Sequence, residues 1–461
     1  MYEPPRPLPL SPLGGLVRAM LRGGDLLSLL PRDAYRVPAG YLGYSRRSIL
    51  IVNAPELTRP ILNDPADIFP KNDLMTGALE PLVGQSIFVS NGDLWRRQRR
   101  MIDPAFSHMR LNRAFTSMVA AVDDHEAHLA EVAARGETIS LDLAMSHLTA
   151  DVITRTVFSS PLQSRTAKDV YEAFSLFERS VANVELKRLI FDRPFADIPQ
   201  HPAVLEACAR IRGHLGALVD THLPPGASDH NDIASALVGA ADPESGRTFT
   251  RDELIDQLGV FFLAGHETTA SALTWAFFIL STQADVLARV RAEVEREVGD
   301  GPIEFDAVRR LAYTRNVFKE TLRLYPPITF LPRVALEPVT IGPFRVKRGA
   351  MIMVAPWTIH RHRDYWKDPA AFDPDRFGPE REKDILPGTY LPFGQGPRVC
   401  VGANFAAMES ALILARLVRR FDFETLAPES VFPAARLTTR PKRQVMMRVR
   451  DRMAARRPAA A

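Results

Sequence analysis

Phe393-Gly394-Gln395-Gly396-Pro397-Arg398-Val399-Cys400-Val401-Gly402 holds one of only two cysteines in 461 residues. Gly396 lets the backbone fold so that N–H groups face the sulfur. Cys400 stands just before an apolar helical stretch, 401–421. Free N–H groups and the positive dipole end at a helix start favour a thiolate, and Arg398 adds positive charge. A lone cysteine is usually an inert packed residue; glycines, arginine and helix start together suit this one to metal ligation. The other cysteine, Cys208, reads as an ordinary helix residue. Two distant cysteines form no disulfide framework or CxxC pair, and they are too few for an iron–sulfur cluster, which needs about four. A reducing compartment follows.

Three further segments carry chemistry-bearing residues. Ala264-Gly265-His266-Glu267-Thr268-Thr269 lies inside the most apolar helical region, 250–299, whose start is a Thr250/Glu253 capping box. The Thr268 hydroxyl can bond the Ala264 carbonyl and loosen the helix. Gly265 leaves room for a flat ligand at the backbone, and Glu267 brings a carboxylate into an apolar setting. On its own the segment reads first as a satisfied polar kink in a core helix. It is no zinc-protease helix, because Ala270 stands where the second histidine is needed. Glu320-Thr321-Leu322-Arg323 puts an acid and a base on one helix face, ordinarily a surface salt bridge. Trp95 and Arg99, at i and i+4, can reach one anion.

These segments resemble the cytochrome P450 family of haem-thiolate monooxygenases. FxxGxRxCxG is matched at Phe393, Gly396, Arg398, Cys400 and Gly402. The other segments follow the family's order from Trp95 to Gly402, so the resemblance spans nearly the whole chain. It implies a mainly α fold with small β-sheets, in one domain covering 1–461. Haem would lie between the long central helix and the cysteine loop with the final helix. Cys400 would be the axial metal ligand. Trp95, Arg99, Ala264, Gly265, Arg333, Phe393, Arg398 and Gly402 would contact the cofactor, haem b, since no CxxCH exists for covalent attachment. Glu267 and Thr268 would deliver protons during dioxygen activation, and Glu320, Arg323 and Arg376 would form a structural ion triad. The substrate-facing stretches implied are 74–88, 170–200, 261–268, 328–331 and 437–439, with Phe88, Phe261, Ile328, Phe330 and Thr438 in the pocket. These are mostly apolar, so a lipophilic substrate is expected: a terpenoid, fatty acid or alkane. Charges at Glu178, Arg179, Glu185, Lys187 and Arg188 leave room for one polar anchor.

Composition agrees with a large globular core: 46% of residues are hydrophobic and 24% charged. At roughly 150 residues per domain the length allows about three domains, yet no repeat or linker divides it. The ends read as a proline-rich segment over 1–30 and a disordered tail over 451–461. No clean apolar run marks a signal or membrane span, so a cytoplasmic monomer without a transmembrane anchor is expected. The net charge of +4 is weak, and no nucleic-acid partner is expected. Charge is concentrated locally: six arginines against Asp103 over 94–113, and eight basic residues against Asp451 over 440–457. Such runs are solvated surface or a docking face for an acidic partner. No reductase motif is present, so a ferredoxin with its reductase, or a flavodoxin-type donor, is the expected electron source. A peroxygenase and a haem-based gas sensor are competing readings. The Glu267–Thr268 pair argues against both.

Overall fold

The computed structural model describes residues 2–7, 30–42, 48–64, 67–162, 171–174, 177, 200–223, 232–435 and 437–456, with scattered positions between 11 and 27. The residues of the expected polar anchor, at 178–188, and residues 457–461 lie outside the described residues.

Helices predominate. Those that build the site are α1 (Pro55–Asn63), α2 (Asp73–Val83), α3 (Gly92–Ile102), α4 (His108–Ala134), α5 (Leu141–Phe158), α6 (Pro202–Asp220), α7 (Arg251–Thr282), α8 (Ala312–Leu324) and α9 (Ala403–Arg420). The 32-residue α7 is the axis of the molecule. It starts at the expected capping box: Glu253 N–H donates to Thr250 Oγ1 at 3.2 Å, and Thr250 N–H donates to Glu253 Oε2 at 2.8 Å. Its apolar residues are buried nearly all round, Ala264 excepted, as expected of a helix in the middle of a large core. It packs most extensively on α5, and also touches α2, α6, α8 and α9. The helical region 250–299 is not one rod. It breaks at Gln283, and the following helix, Ala284–Glu297, turns away by 109°. Among the described residues no single helix is long and apolar enough to cross a membrane.

A four-stranded sheet flanks this bundle, in the order β1 (Ala39–Leu42), β2 (Ile49–Val52), β4 (Met351–Val354), β3 (Leu331–Val334). Only the β2–β4 pair is parallel. The all-apolar β2 is buried at every position, as a central strand covered on both faces must be. A two-stranded hairpin, β5 (Pro433–Ala435) and β6 (Thr439–Pro441), sits against α7 and pairs Ala435 with Thr439. One apolar core runs in sequence from Leu27 to Val449, and a smaller cluster fills the space between the sheet and α1. Cys208 is buried on α6. The N-terminal residues form a docked strap: Tyr325 donates its hydroxyl to Pro5 O at 2.6 Å, and Phe372 N–H bonds Tyr2 O. The expected disordered tail starts too early. A strand, Met446–Asp451, continues through Asp451 into a helical turn, Arg452–Arg456. Asp451 holds it there by accepting from Arg420.

Candidate active site

The cysteine loop is a tight backbone structure. Gly394 and Gly396 both have φ of +76°, in the left-handed region. A side chain at Gly396 would place Cβ 2.6 Å from Leu62 O and Asn63 Oδ1, so α1 can press on the loop only where glycine stands. Cys400 N–H closes the loop onto Phe393 O at 2.9 Å, and Gly402 leads into α9. The sulfur is accessible, yet protein surrounds it on most sides, so it opens onto internal space. Burial raises the thiol's pKa, against the hydrogen bond from Gly402 N–H and the charge of Arg99. The cation acting on the sulfur is therefore Arg99, not Arg398 as its place in the loop suggests. The free thiol keeps its proton, and a coordinated metal would remove it.

Arg398 instead lies over the Trp95 ring, 4.3 Å from its centroid, and donates to Ser90 O. Arg99 donates to Val399 O at 2.6 Å and pairs with Asp103. These contacts tie α3 and the preceding Ser90 to the cysteine loop across some 300 positions. Arg333, on β3, is buried and donates to Pro332 O at 3.0 Å. Its pKa falls to about 10 through burial and the charge of Arg398, against Asp64. Lys71, which pairs with Arg333 as a β-bridge, joins them and was not singled out by sequence. Its amine donates to Ile87 O at 2.8 Å, and its pKa is well below normal through burial, Arg398 and Arg333.

Crowding three mutually repelling cations, Arg333 buried and Lys71 and Arg398 half-buried, costs free energy unless anions join them. Asp64 is already committed to the N–H groups of Ile68 and Phe69, and Asp67 to Arg96. Lys71, Arg333 and Arg398 thus suit a dianionic group such as the two propionates of haem, and with Cys400 they pass the test of fit for that cofactor.

On α7, Ala264 is exposed, and Gly265 and Thr268 are half-buried, although the turns on either side are buried. This stripe looks into open space from the middle of the core. Thr268 Oγ1 donates to Ala264 O at 2.7 Å, as expected from the sequence. The expectation for Gly265 needs correction. A Cβ there would lie 2.4 Å from Ile153 Cδ1. The missing side chain makes room for α5, not for a flat ligand. His266 turns into the core, bonded to Phe262 O at 2.9 Å and packed among Phe262, Phe174 and Tyr171.

Glu267 is 4% exposed and engaged with the β5–β6 hairpin. Thr438 Oγ1 donates to its Oε1 at 2.6 Å, and Arg440 grips both oxygens. Thr438 was expected to face substrate; the structure turns its hydroxyl to Glu267, because positions 438 and 440 of an extended segment share one side. Of the other expected pocket residues, Phe261 is buried edge-on to Phe106 and Phe330 is buried. Phe88 and Ile328 are half-buried, with Lys71 near the Phe88 ring.

Glu320, Arg323 and Arg376 do form one buried cluster. Arg323 binds Glu320 bidentately, both contacts at 2.7 Å, and Arg376 Nε reaches Glu320 at 3.3 Å. Arg323 also donates to the carbonyls of His360, Pro369 and Ala371, and Arg376 to those of Lys367 and Asp368. Asp373 N–H adds a fourth donor to Glu320.

The arginine run at 94–113 is less open than its composition implies. Arg96 pairs with Asp67 and Asp93, Arg97 with Glu253, Arg99 with Asp103, and Arg100 with Asp242 and Glu244. Four of its six arginines are neutralised by acids of the same chain. The second run is paired likewise: Arg440 with Glu267, Lys442 with Asp25, Arg448 and Arg450 with Glu424.

One buried acid was missed by sequence. Glu409, on α9, is 1% exposed and, among the described residues, pairs with no cation. Burial raises its pKa well above 4.5, with only the Thr269 hydroxyl opposing. The folded protein therefore holds it protonated, while the unfolded chain ionises it above about pH 4.5, so its contribution to stability falls as pH rises past that value. Glu409→Gln removes this dependence. Its melting temperature, relative to the parent, should be higher near pH 8 than near pH 4; a difference that stays constant with pH would show Glu409 ionised in the fold.

A family model described as Cytochrome P450 matches residues 38–447. The chain is 33% identical over 372 residues to cyclooctat-9-en-7-ol 5-monooxygenase of Streptomyces melanosporofaciens, covering 80% of this chain and 78% of that one. It is 30% identical over 404 residues to cyclooctatin synthase of the same organism, covering 87% and 86%. A crystal structure of a variant cytochrome P450DA haem domain superposes with a TM-score of 0.82 at 23% identity, over 99% of this chain and all of that one, which bears on the fold.

Proposed function

Because this chain belongs to the cytochrome P450 family and is a monooxygenase that uses haem and dioxygen, we propose that it inserts one oxygen atom into a lipophilic substrate of terpenoid or fatty-acid type. The single observation that carries the reading is the presence of an exposed Cys400 together with an exposed Ala264 and a half-buried Thr268 inside an otherwise buried helix. Haem b would be held without covalent attachment by Cys400, with Trp95, Arg99, Lys71, Arg333 and Arg398 about its carboxylates. When bound it supplies electron-rich thiolate-ligated iron suited to O–O cleavage. The chain's own residues do the rest. Thr268, bonded to Ala264 O, presents a hydroxyl on the open stripe, and Glu267 stores the charge that proton delivery needs. Half-buried Ile328 and Phe88, backed by buried Phe261 and Phe330, offer apolar surface that would orient a hydrocarbon and exclude water.

A separate ferredoxin with its reductase, or a flavodoxin-type donor, would supply electrons to a cytoplasmic monomer. The self-paired arginines of α3 would contribute little to that docking. The test is a ligand library scored by the shift of the haem-loaded protein's absorption spectrum, followed by product analysis in reconstituted turnover. Terpene alcohols and long-chain acids should shift the spectrum and be hydroxylated. Shifts confined to small, highly charged ligands would refute the substrate class.

A further inference from the structure

Two arginines of the 94–113 run, Arg110 and Arg113, line a cleft of about 260 Å³ away from the cysteine loop. With Ser117 they share one face of α4, spaced by three and four residues. The last turn of α5 and its C-cap supply Arg155 and Ser159, and Asp232, at the start of the short helix Ile233–Val238, completes the wall. Three guanidinium groups and one carboxylate therefore line the cleft. Arg155 is held by Asp151 on its own helix at 3.0 Å and by Asp124 of α4. Among the described residues Arg110 has no acid partner.

The one carboxylate is compensated from behind. His222, which follows α6, meets Asp232 Oδ2 with Nε2 at 3.0 Å and Leu218 O with Nδ1 at 2.8 Å, and both side chains are buried. A carboxylate and a carbonyl only accept, so the ring fits with a proton on each nitrogen. The Asp232 bond holds the His222 pKa above 6.5, against burial. Burial would raise the pKa of Asp232, but His222, the Ser235 N–H and the Ser159 hydroxyl outweigh it and keep it below 3.8. Asp232 is thus an ionised group whose charge His222 cancels, and the cleft is left with a surplus of arginine charge.

We infer that this cleft binds a tetrahedral oxyanion, phosphate either free or as a monoester, with Arg110 and Arg113 as its principal donors. Arginine's planar fork matches phosphate oxygens. Arg110 and Arg155 are half-buried, so part of the water that would screen them is already excluded. The Ser117 hydroxyl adds a neutral donor on the same face. A bound anion would join α4 to the end of α5, the helix that packs most extensively on α7. None of Cys400, Arg333, Arg398 and Thr268 lines the cleft, so the inference stands apart from the monooxygenase reading.

The experiment titrates the full-length, haem-loaded protein by calorimetry at constant ionic strength, with inorganic phosphate and with glycerol 3-phosphate. Parent, Arg110→Gln, Arg113→Gln and His222→Gln forms are compared. Binding should saturate in the parent and weaken at least about tenfold in each arginine variant, the loss expected of one charge-assisted hydrogen bond. Tighter binding of glycerol 3-phosphate assigns a monoester, and equal binding assigns free phosphate. Sulfate, which does not titrate near neutral pH, reads the part played by His222. Its affinity should fall as pH rises through the His222 midpoint, above 6.5, because Asp232 then stands uncompensated. His222→Gln should bind sulfate weakly and without that pH dependence. Binding that fails to saturate, or that is equal in parent and Arg110→Gln, means an adventitious ion only and overturns the site. A sulfate affinity independent of pH in the parent overturns the compensation by His222. If His222→Gln fails to fold, the parent's pH profile and the two arginine variants decide.

Discussion

Cys400→His abolishes the red-shifted Soret band of the reduced carbon monoxide complex and lowers turnover by more than about 100-fold, the upper range for losing even an outer-shell partner of a metal ligand. The sulfur is the accessible group in a loop closed by the Cys400 N–H to Phe393 O bond and pressed by α1 at Gly396. Imidazole cannot push electron density onto iron as a thiolate does. The fold should survive, because the loop's backbone bonds do not use the side chain. Cys400→Ser serves as the smaller replacement should imidazole overpack the site. Retention of the thiolate band in either variant would remove Cys400 from the metal.

Arg323→Met destabilises the protein by about 3–5 kcal/mol, the range for stranding one partner of a buried ion pair. That is a large part of the 5–15 kcal/mol typical of a folded protein, so the variant should express poorly and retain less haem. Glu320 would keep only Arg376 and the Asp373 N–H, and three carbonyls, of His360, Pro369 and Ala371, would lose their donor. Many buried ion pairs can be exchanged for apolar residues at little cost. Here the exchange should fail: Glu320→Met with Arg323→Met leaves the same three carbonyls buried without a donor. Chemical denaturation of the two variants decides the point. A double variant close to the parent in stability would mean that the carbonyls find water.

Much of this was legible along the chain, and the reason is range. The capping box of α7 and the Thr268–Ala264 bond act over three and four residues. So does the Glu320–Arg323 pair, although its neighbours alone read as a surface contact; burial makes it structural. The resemblance brought Arg376 to it from 56 positions away. Other readings went astray where a local pattern was completed by a distant segment. The arginines of α3 form a basic stripe in sequence, yet Asp67, Asp242 and Glu253 arrive to neutralise it. Gly265 invites a ligand until Ile153 of α5 takes the space.

The order and spacing of residues around Cys400, Thr268 and Glu320 were therefore enough to determine the family and the fold class, because the motifs that carry them depend on contacts within a turn or a loop. The tertiary structure decided the partners of charge. Lys71 meets Arg333 and Arg398 across three separate segments, and Glu267 meets Arg440 across 173 positions. A buried charge must find its counter-charge wherever folding places one, and no local pattern records where that is.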